Sequence, residues 1–141
     1  MKVIMTGGGT GGHIYPAIAI AEEIKRRDTD AEIIFVGTNH GMEKDIVPRY
    51  GYELKFITVS GLNRKKLWKN VQTVRDLKKG TNEARAVIRE FQPDLVIGTG
   101  GYVCGPMVRT AASMGIRTYI HEQNAFPGLT NKLLSRKVNR V

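Results

Sequence analysis

The sequence predicts an α/β fold, a parallel sheet with helices on both faces. Two observations carry that expectation. Strand-like apolar runs alternate with helix-like amphipathic stretches along the whole chain, and such alternation gives a parallel sheet with right-handed crossovers. Three polar loops, Gly7–His13, Gly98–Gly105 and His121–Gly128, each follow an apolar run. In sheets of this kind ligands bind beyond the carboxyl ends of the strands, so the three loops should line one edge together.

Taken in order, Lys2-Val3-Ile4-Met5 reads as a buried strand. The loop Thr6 to His13 leads from it into a helix from Ile14 to Arg27, with Ala17, Ile20, Ala21 and Ile24 on one face and Pro16 in the first turn. Residues Ala31–Val36 form a second strand, ending in Gly37-Thr38-Asn39, and a short helix runs from about Met42 to Arg49. A strand over Leu54–Val59 precedes the loop Ser60-Gly61-Leu62-Asn63. A long basic helix then spans about Leu67 to Phe91, with a break expected near Gly80. Its inward stripe reads Leu67, Val71, Val74 and Leu77, continued by Ala84, Val87, Ile88 and Phe91. Pro93 ends it. The strand Leu95-Val96-Ile97, a helix from Gly105 to Met114, the strand Arg117–Ile120 and a helix from Pro127 to Arg136 follow, and Val138–Val141 begins a sixth strand.

A length of 141 residues suits one domain, and 41% apolar with 25% charged residues is ordinary for a globular chain. No apolar stretch approaches the roughly 20 residues that span a bilayer, and the run after Lys2 is too short for a signal peptide. The lone Cys104 excludes an internal disulfide and points to the cytoplasm. Cys104, His13, His40 and His121 show no zinc spacing, so no metal is expected. The net charge of +9 suggests an anionic partner.

The first loop turns from strand to helix, with helix N–H groups aimed at whatever binds there, a phosphate above all. Gly7, Gly9 and Gly12 match the dinucleotide spacing G-x-G-x-x-G, but the second strand ends without the acid that would hold a ribose. A P-loop would need Lys after the last glycine, where this chain has His13. A tight turn without a ligand would need less glycine. His13 is a candidate general base, or a capping or ligand-orienting residue. Gly98-Thr99-Gly100-Gly101-Tyr102 repeats the logic, and two such loops can bracket one pyrophosphate. Cys104 reads as a packing residue rather than half of a Cys/His pair with His121. The Asn124 amide suits sugar hydroxyls, donating and accepting, unless it only forms the turn before Pro127-Gly128. Asp28-Thr29-Asp30 looks like a metal-binding D-x-D but falls at the opposite edge, as a solvated turn.

Residues 61–90 hold nine Lys/Arg against three acids, a net +6. Leu62, Leu67 and Trp68 interleave with Arg64, Lys65, Lys66 and Lys69, a mixture suited to an anionic membrane surface. A solvated basic helix is the plainer alternative. No nucleic-acid motif accompanies the charge, so nucleic acid is not an expected partner.

These motifs together resemble a known family. Gly8-Gly9-Thr10-Gly11-Gly12-His13 with Pro16, Gly100-Gly101-Tyr102 with Gly105-Pro106, and His121-Glu122-Gln123-Asn124 with Gly128-Leu129-Thr130-Asn131-Lys132 closely resemble the MurG family, in order and over the whole chain. The resemblance implies a single Rossmann-like domain over 1–141, the N-terminal half of a two-domain GT-B glycosyltransferase. It implies transfer of GlcNAc from UDP-GlcNAc to undecaprenyl-linked lipid I, with inversion, at the cytoplasmic face of the membrane and without a cofactor. Thr10, Gly11 and Gly12 would touch the donor, and Asn124 would hold the GlcNAc hydroxyls. Gly8, Gly9, Gly100, Gly101, Tyr102 and Gly105 would cradle the acceptor pyrophosphate. His13 would be the candidate base, and Leu62, Lys65, Lys66, Leu67, Trp68 and Lys69 the membrane patch. A partner C-terminal domain would supply the nucleotide site, so residues 1–141 alone would fold but not turn over. The acceptor-side half of a split dolichol-linked GlcNAc transferase and a non-enzymatic nucleotide-binding or membrane-docking module are the alternatives.

Overall fold

Among the described residues the apolar runs become five strands, β1 Lys2–Gly7, β2 Glu32–Gly37, β3 Glu53–Phe56, β4 Leu95–Gly100 and β5 Arg117–Ile120. All pair in parallel, in the order β3-β2-β1-β4-β5. The computed structural model describes residues 1–59 and 67–141, and of residues 67–73 the backbone alone. The helices are α1 Gly11–Arg27, α2 Glu43–Arg49, α3 Leu67–Phe91, α4 Cys104–Ser113 and α5 Leu129–Leu134.

Alternate strand residues point to opposite faces, and here both faces are covered. Val3, Met5, Ile33, Phe35 and Ile97 pack under α1 and α2, against Ile14, Ala17, Ile18, Ala21, Ile46 and Val47. Ile4, Ile34, Val36, Val96 and Ile120 pack on the other face under α3, α4 and α5, against Ala84, Ile88, Met107, Val108 and Leu134. Phe35 and Ile4 are almost wholly buried, which contributes roughly 1.5–3 kcal/mol each.

The order places β1 at the centre. The chain runs outward from it through β2 and β3, then α3 carries it back to β4 on the other side of β1. The crevice between the ends of β1 and β4 is the point where the winding reverses, and the first two polar loops open there.

Several boundaries differ from the sequence expectation. The first helix starts at Gly11, because the Thr10 carbonyl accepts the N–H groups of His13 and Ile14 at 3.1 and 3.2 Å. Pro16 is therefore inside the helix rather than in its first turn, and its missing N–H leaves the Gly12 carbonyl without the usual partner four residues on. β3 ends at Phe56, since Glu83 captures both the N–H and the hydroxyl of Thr58. α3 is unbroken at Gly80: that residue lets the Thr58 carbonyl approach the helix where a side chain would collide. The expected inward stripe is kept from Ala84 on but not at Val74 and Leu77, and the side chains of Leu67 and Val71 lie outside the described residues. Ala84, Val87 and Ile88 are buried, whereas Val74 and Leu77 are 65% and 49% exposed. β4 runs on through Gly98 and Thr99 to Gly100, so half of the second glycine loop is strand. Of the expected sixth strand, Arg140 makes a parallel bridge to Tyr119.

Candidate functional site

The three loops meet at the carboxyl ends of β1, β4 and β5. The Gly8 N–H donates to the Gly100 carbonyl at 3.3 Å, and the His121 N–H donates to the Gly98 carbonyl at 2.7 Å. His13 is the hub. Its backbone carbonyl accepts from the Thr99 hydroxyl at 2.6 Å, and Thr99 is fully buried. Its ring Nδ1 lies 3.2 Å from the Thr99 carbonyl and 2.8 Å from the amide nitrogen of Gln123. One residue from each loop thus converges on this imidazole, over sequence separations of 86 and 110.

Glycine makes that convergence possible. Gly100 has φ +117°, and a Cβ there would stand 2.5 Å from His13 Nδ1. At Gly101, φ +87°, a Cβ would strike the Gly8 carbonyl.

A buried carboxylate that the sequence reading missed organises the first loop. Glu43, at the start of α2, is 1% exposed. It accepts the Gly9 N–H at 2.9 Å and both the N–H and the hydroxyl of Thr38 at 2.8 Å. An acid does therefore stand at the end of β2, supplied from α2, but its oxygens are already engaged by the protein. Gly8, Gly37 and Gly41 enclose it so closely that a methyl group on any of them would collide with it. Those glycines, clustered at strand ends before a helix that opens on Glu, were the available sequence signal.

The N–H groups of Gly8, Gly9, Gly100 and Gly105 donate to the Gly100 carbonyl, Glu43, the Cys104 sulfur and the Tyr102 carbonyl. Those four amides are committed within the protein. The N–H groups of Gly11 and Gly12 at the start of α1, and of Gly101 and Tyr102 ahead of α4, have no partner among the described residues. Two helix N-termini thus present amides side by side at the β1/β4 crevice. Thr10 is exposed and its side chain caps nothing in α1.

The third loop is built on Glu122. Its carboxylate accepts the Asn124 N–H and side-chain amide, the Gly128 N–H and the Asn131 side-chain amide, at 2.8 to 3.0 Å. Desolvation pushes this carboxyl up, but the four hydrogen bonds outweigh it and hold it down to about 2. Asn124 is exposed and oriented by Glu122, with its amide nitrogen committed.

Burial pushes the Cys104 thiol up to about 11, and its sulfur lies 3.0 Å from the Thr6 carbonyl. It is a packed thiol, not a nucleophile. Asp28 takes the terminal amine of Met1 at 3.2 Å, at the opposite edge of the sheet. Among the described residues no cluster of His, Cys, Asp and Glu could hold a metal ion, and no helix is long and apolar enough to cross a membrane. Of the expected membrane patch, Leu62, Lys65 and Lys66 lie outside the described residues, as do the side chains of Leu67, Trp68 and Lys69.

Comparison with known proteins gives this edge a setting. The chain is 59% identical over all 141 residues to a UDP-N-acetylglucosamine--N-acetylmuramyl-(pentapeptide) pyrophosphoryl-undecaprenol N-acetylglucosamine transferase of Alkaliphilus oremlandii, and spans 38% of that protein. It is 56% identical over the same length to the Clostridioides difficile protein of that name, and spans 34% of it. The crystal structure of Acinetobacter baumannii MurG superposes on 98% of the chain with a TM-score of 0.83 at 33% identity, over 40% of that structure. A Streptomyces glycosyltransferase, SsfS6, complexed with thymidine diphosphate, shares the fold at 17% identity and a TM-score of 0.65. The glycosyltransferase family 28 N-terminal domain matches residues 3–141, and the chain belongs to that family.

Proposed function

We propose that this chain is the acceptor-side half of an inverting N-acetylglucosaminyltransferase of peptidoglycan synthesis, acting on UDP-GlcNAc and undecaprenyl-linked lipid I. The observation that carries this reading is the 59% identity to a transferase of that name along the whole chain. The chain spans about two fifths of such relatives, and we assign the nucleotide site to the rest of the full-length protein.

The site suits single displacement. The acceptor 4-hydroxyl attacks C1 of the donor sugar, the bond from C1 to the diphosphate oxygen breaks, and attack from the opposite face inverts the configuration. His13 Nε2, which has no hydrogen-bond partner among the described residues, takes the hydroxyl proton. Thr10 and the free amides of Gly11 and Gly12 face the donor, where charge develops on the departing diphosphate. The amides of Gly101 and Tyr102 serve the acceptor pyrophosphate, with Gly8, Gly9, Gly100 and Gly105 shaping the loops that carry it. Asn124 holds sugar hydroxyls through the carbonyl that Glu122 leaves free. The chemistry asks for no metal in this half.

The protein would sit on the cytoplasmic face of the membrane, held by residues 62–69 and by residues 74–79 of α3. There Val74 and Leu77 are exposed beside exposed Arg75, Lys78 and Lys79.

The test is turnover of a lipid I analogue by the full-length protein. His13→Ala should lower kcat by about 10²- to 10⁴-fold, the usual contribution of a positioned base. Asn124→Ala should mainly raise KM for the sugar substrate. Turnover unchanged in both variants would reject the reading. The membrane part is checked separately, by co-sedimentation with anionic vesicles, where Trp68→Ala should bind less.

A further inference from the structure

His13 Nδ1 has two polar neighbours that make incompatible demands. The Thr99 carbonyl oxygen, at 3.2 Å, can only accept, whereas the Gln123 amide nitrogen, at 2.8 Å, can only donate. A single ring nitrogen carries either a proton or a lone pair. With the amide nitrogen facing it, Nδ1 must accept, and its lone pair then confronts the carbonyl oxygen. In the same arrangement the Gln123 Oε1 is buried with no hydrogen-bond partner. A half-turn about the Cγ–Cδ bond exchanges the two ends of the amide and moves no other atom. Oε1 then faces Nδ1, and one Nδ1–H meets two acceptors. The repulsive contact at Nδ1 becomes a hydrogen bond, and the amide N–H groups take the buried place that Oε1 held.

We propose that Gln123 is a positioning residue, its Oε1 and the Thr99 carbonyl together accepting the Nδ1–H of His13 and so keeping the proton off Nε2. This rests on the reading of His13 as the base. A base needs a lone pair on the nitrogen that meets the substrate, and the hydrogen bond at the other nitrogen selects the tautomer. After His13 takes the acceptor's proton at Nε2, the Nδ1–H keeps both of its acceptors, so proton uptake requires no rearrangement. The Thr99 hydroxyl bond to the His13 carbonyl and the missing side chain at Gly100 complete the cradle.

The test reads the tautomer directly, from ring ¹⁵N resonances of histidine-labelled full-length protein at mildly alkaline pH. His13 is identified by its loss in His13→Asn. The expected wild-type spectrum shows a protonated Nδ1 and a pyridine-type Nε2. Gln123→Glu, which can only accept, should keep that pattern and leave kcat within roughly threefold of wild type. Gln123→Leu should mix the tautomers and lower kcat roughly 10- to 100-fold, part of a base's whole contribution, with KM within about twofold. A proton on Nε2 in the wild type, or an unchanged tautomer in Gln123→Leu, would overturn the proposal. Should Gln123→Leu fail to fold, the wild-type and Gln123→Glu spectra still decide it. Failure of the base reading looks different: kcat would be unchanged in His13→Ala while the wild-type tautomer signature persisted.

Discussion

Glu43 and Glu122 flank the His13 loops from opposite ends of one sheet edge, and they do similar chemistry under different enclosure. Each is a carboxylate that accepts several hydrogen bonds from a loop after a strand. Glu43 is 1% exposed, walled in by Gly8, Gly37 and Gly41. Glu122 is partly open to solvent, and Gly128, which donates to it, has nothing within 4 Å of where a side chain would start. The difference separates two tasks. A walled-in carboxylate freezes the shape of a loop, whereas an open one orients a side chain, Asn124, that stays exposed.

Removing Glu43 should therefore have the largest effect. Glu43→Ala strands three donors, the N–H groups of Gly9 and Thr38 and the Thr38 hydroxyl. Unsatisfied buried groups cost about 1–3 kcal/mol each; Gly9 is exposed and Thr38 half-buried, so water meets part of the demand and a loss of about 3 kcal/mol is expected. That lowers Tm by roughly 10 °C, measurable by calorimetry. A loss under about 1 kcal/mol would erase the contrast between the two acids.

The glycines test the enclosure itself. Gly8→Ala would place a methyl carbon 2.5 Å from Glu43 Oε1, an overpacking worth about 1–3 kcal/mol. Gly128→Ala keeps the N–H that Glu122 accepts and meets open space, so urea unfolding should place it within about 0.5 kcal/mol of wild type. Equal costs at the two positions would contradict the difference in enclosure.

The smallest effect is a pH dependence. Glu122 is held at about 2 in the folded protein, below its ordinary value near 4.5. A lowered carboxyl contributes stability that is present above the unfolded value and disappears as the pH falls through the folded one. Relative to Glu122→Gln, the wild type should keep a constant advantage above about pH 5 and lose it between about pH 4 and pH 2. The exposed Glu23, lowered to about 2 by Arg26 and Arg27, titrates over the same window in both proteins and cancels in the difference. A difference that grew on acidification would invert the assignment.

How much of this was legible in the sequence depended on whether a signal was local. The strands and helices followed from short-range periodicity. The three loops could be assigned to one edge because strand ends in a parallel sheet share an edge. Glu43 was legible only through the glycines around it, since its partners lie five and 34 residues away and a Glu at a helix start does not foretell which way it folds. Gln123 sat inside a motif that was noticed, yet its contact with His13 spans 110 residues. Val74 and Leu77 kept the helical stripe without its usual burial: both are exposed, on the turns before Gly80 meets the Thr58 carbonyl.

The winding reversal at β1 also has a consequence in time. β1 can pair with β2 as soon as residues 32–37 exist, but its other edge waits for Leu95 to pair with Val3. At a synthesis rate of about 5–20 residues per second, that edge of the central strand stays open for several seconds on the ribosome. The contact between His13 and Thr99 forms only when that pairing closes, so the site is assembled late, by the same event that seals the sheet. Substitutions that weaken the β1–β4 pairing should therefore lengthen the lifetime of an aggregation-prone edge as well as disorder the site.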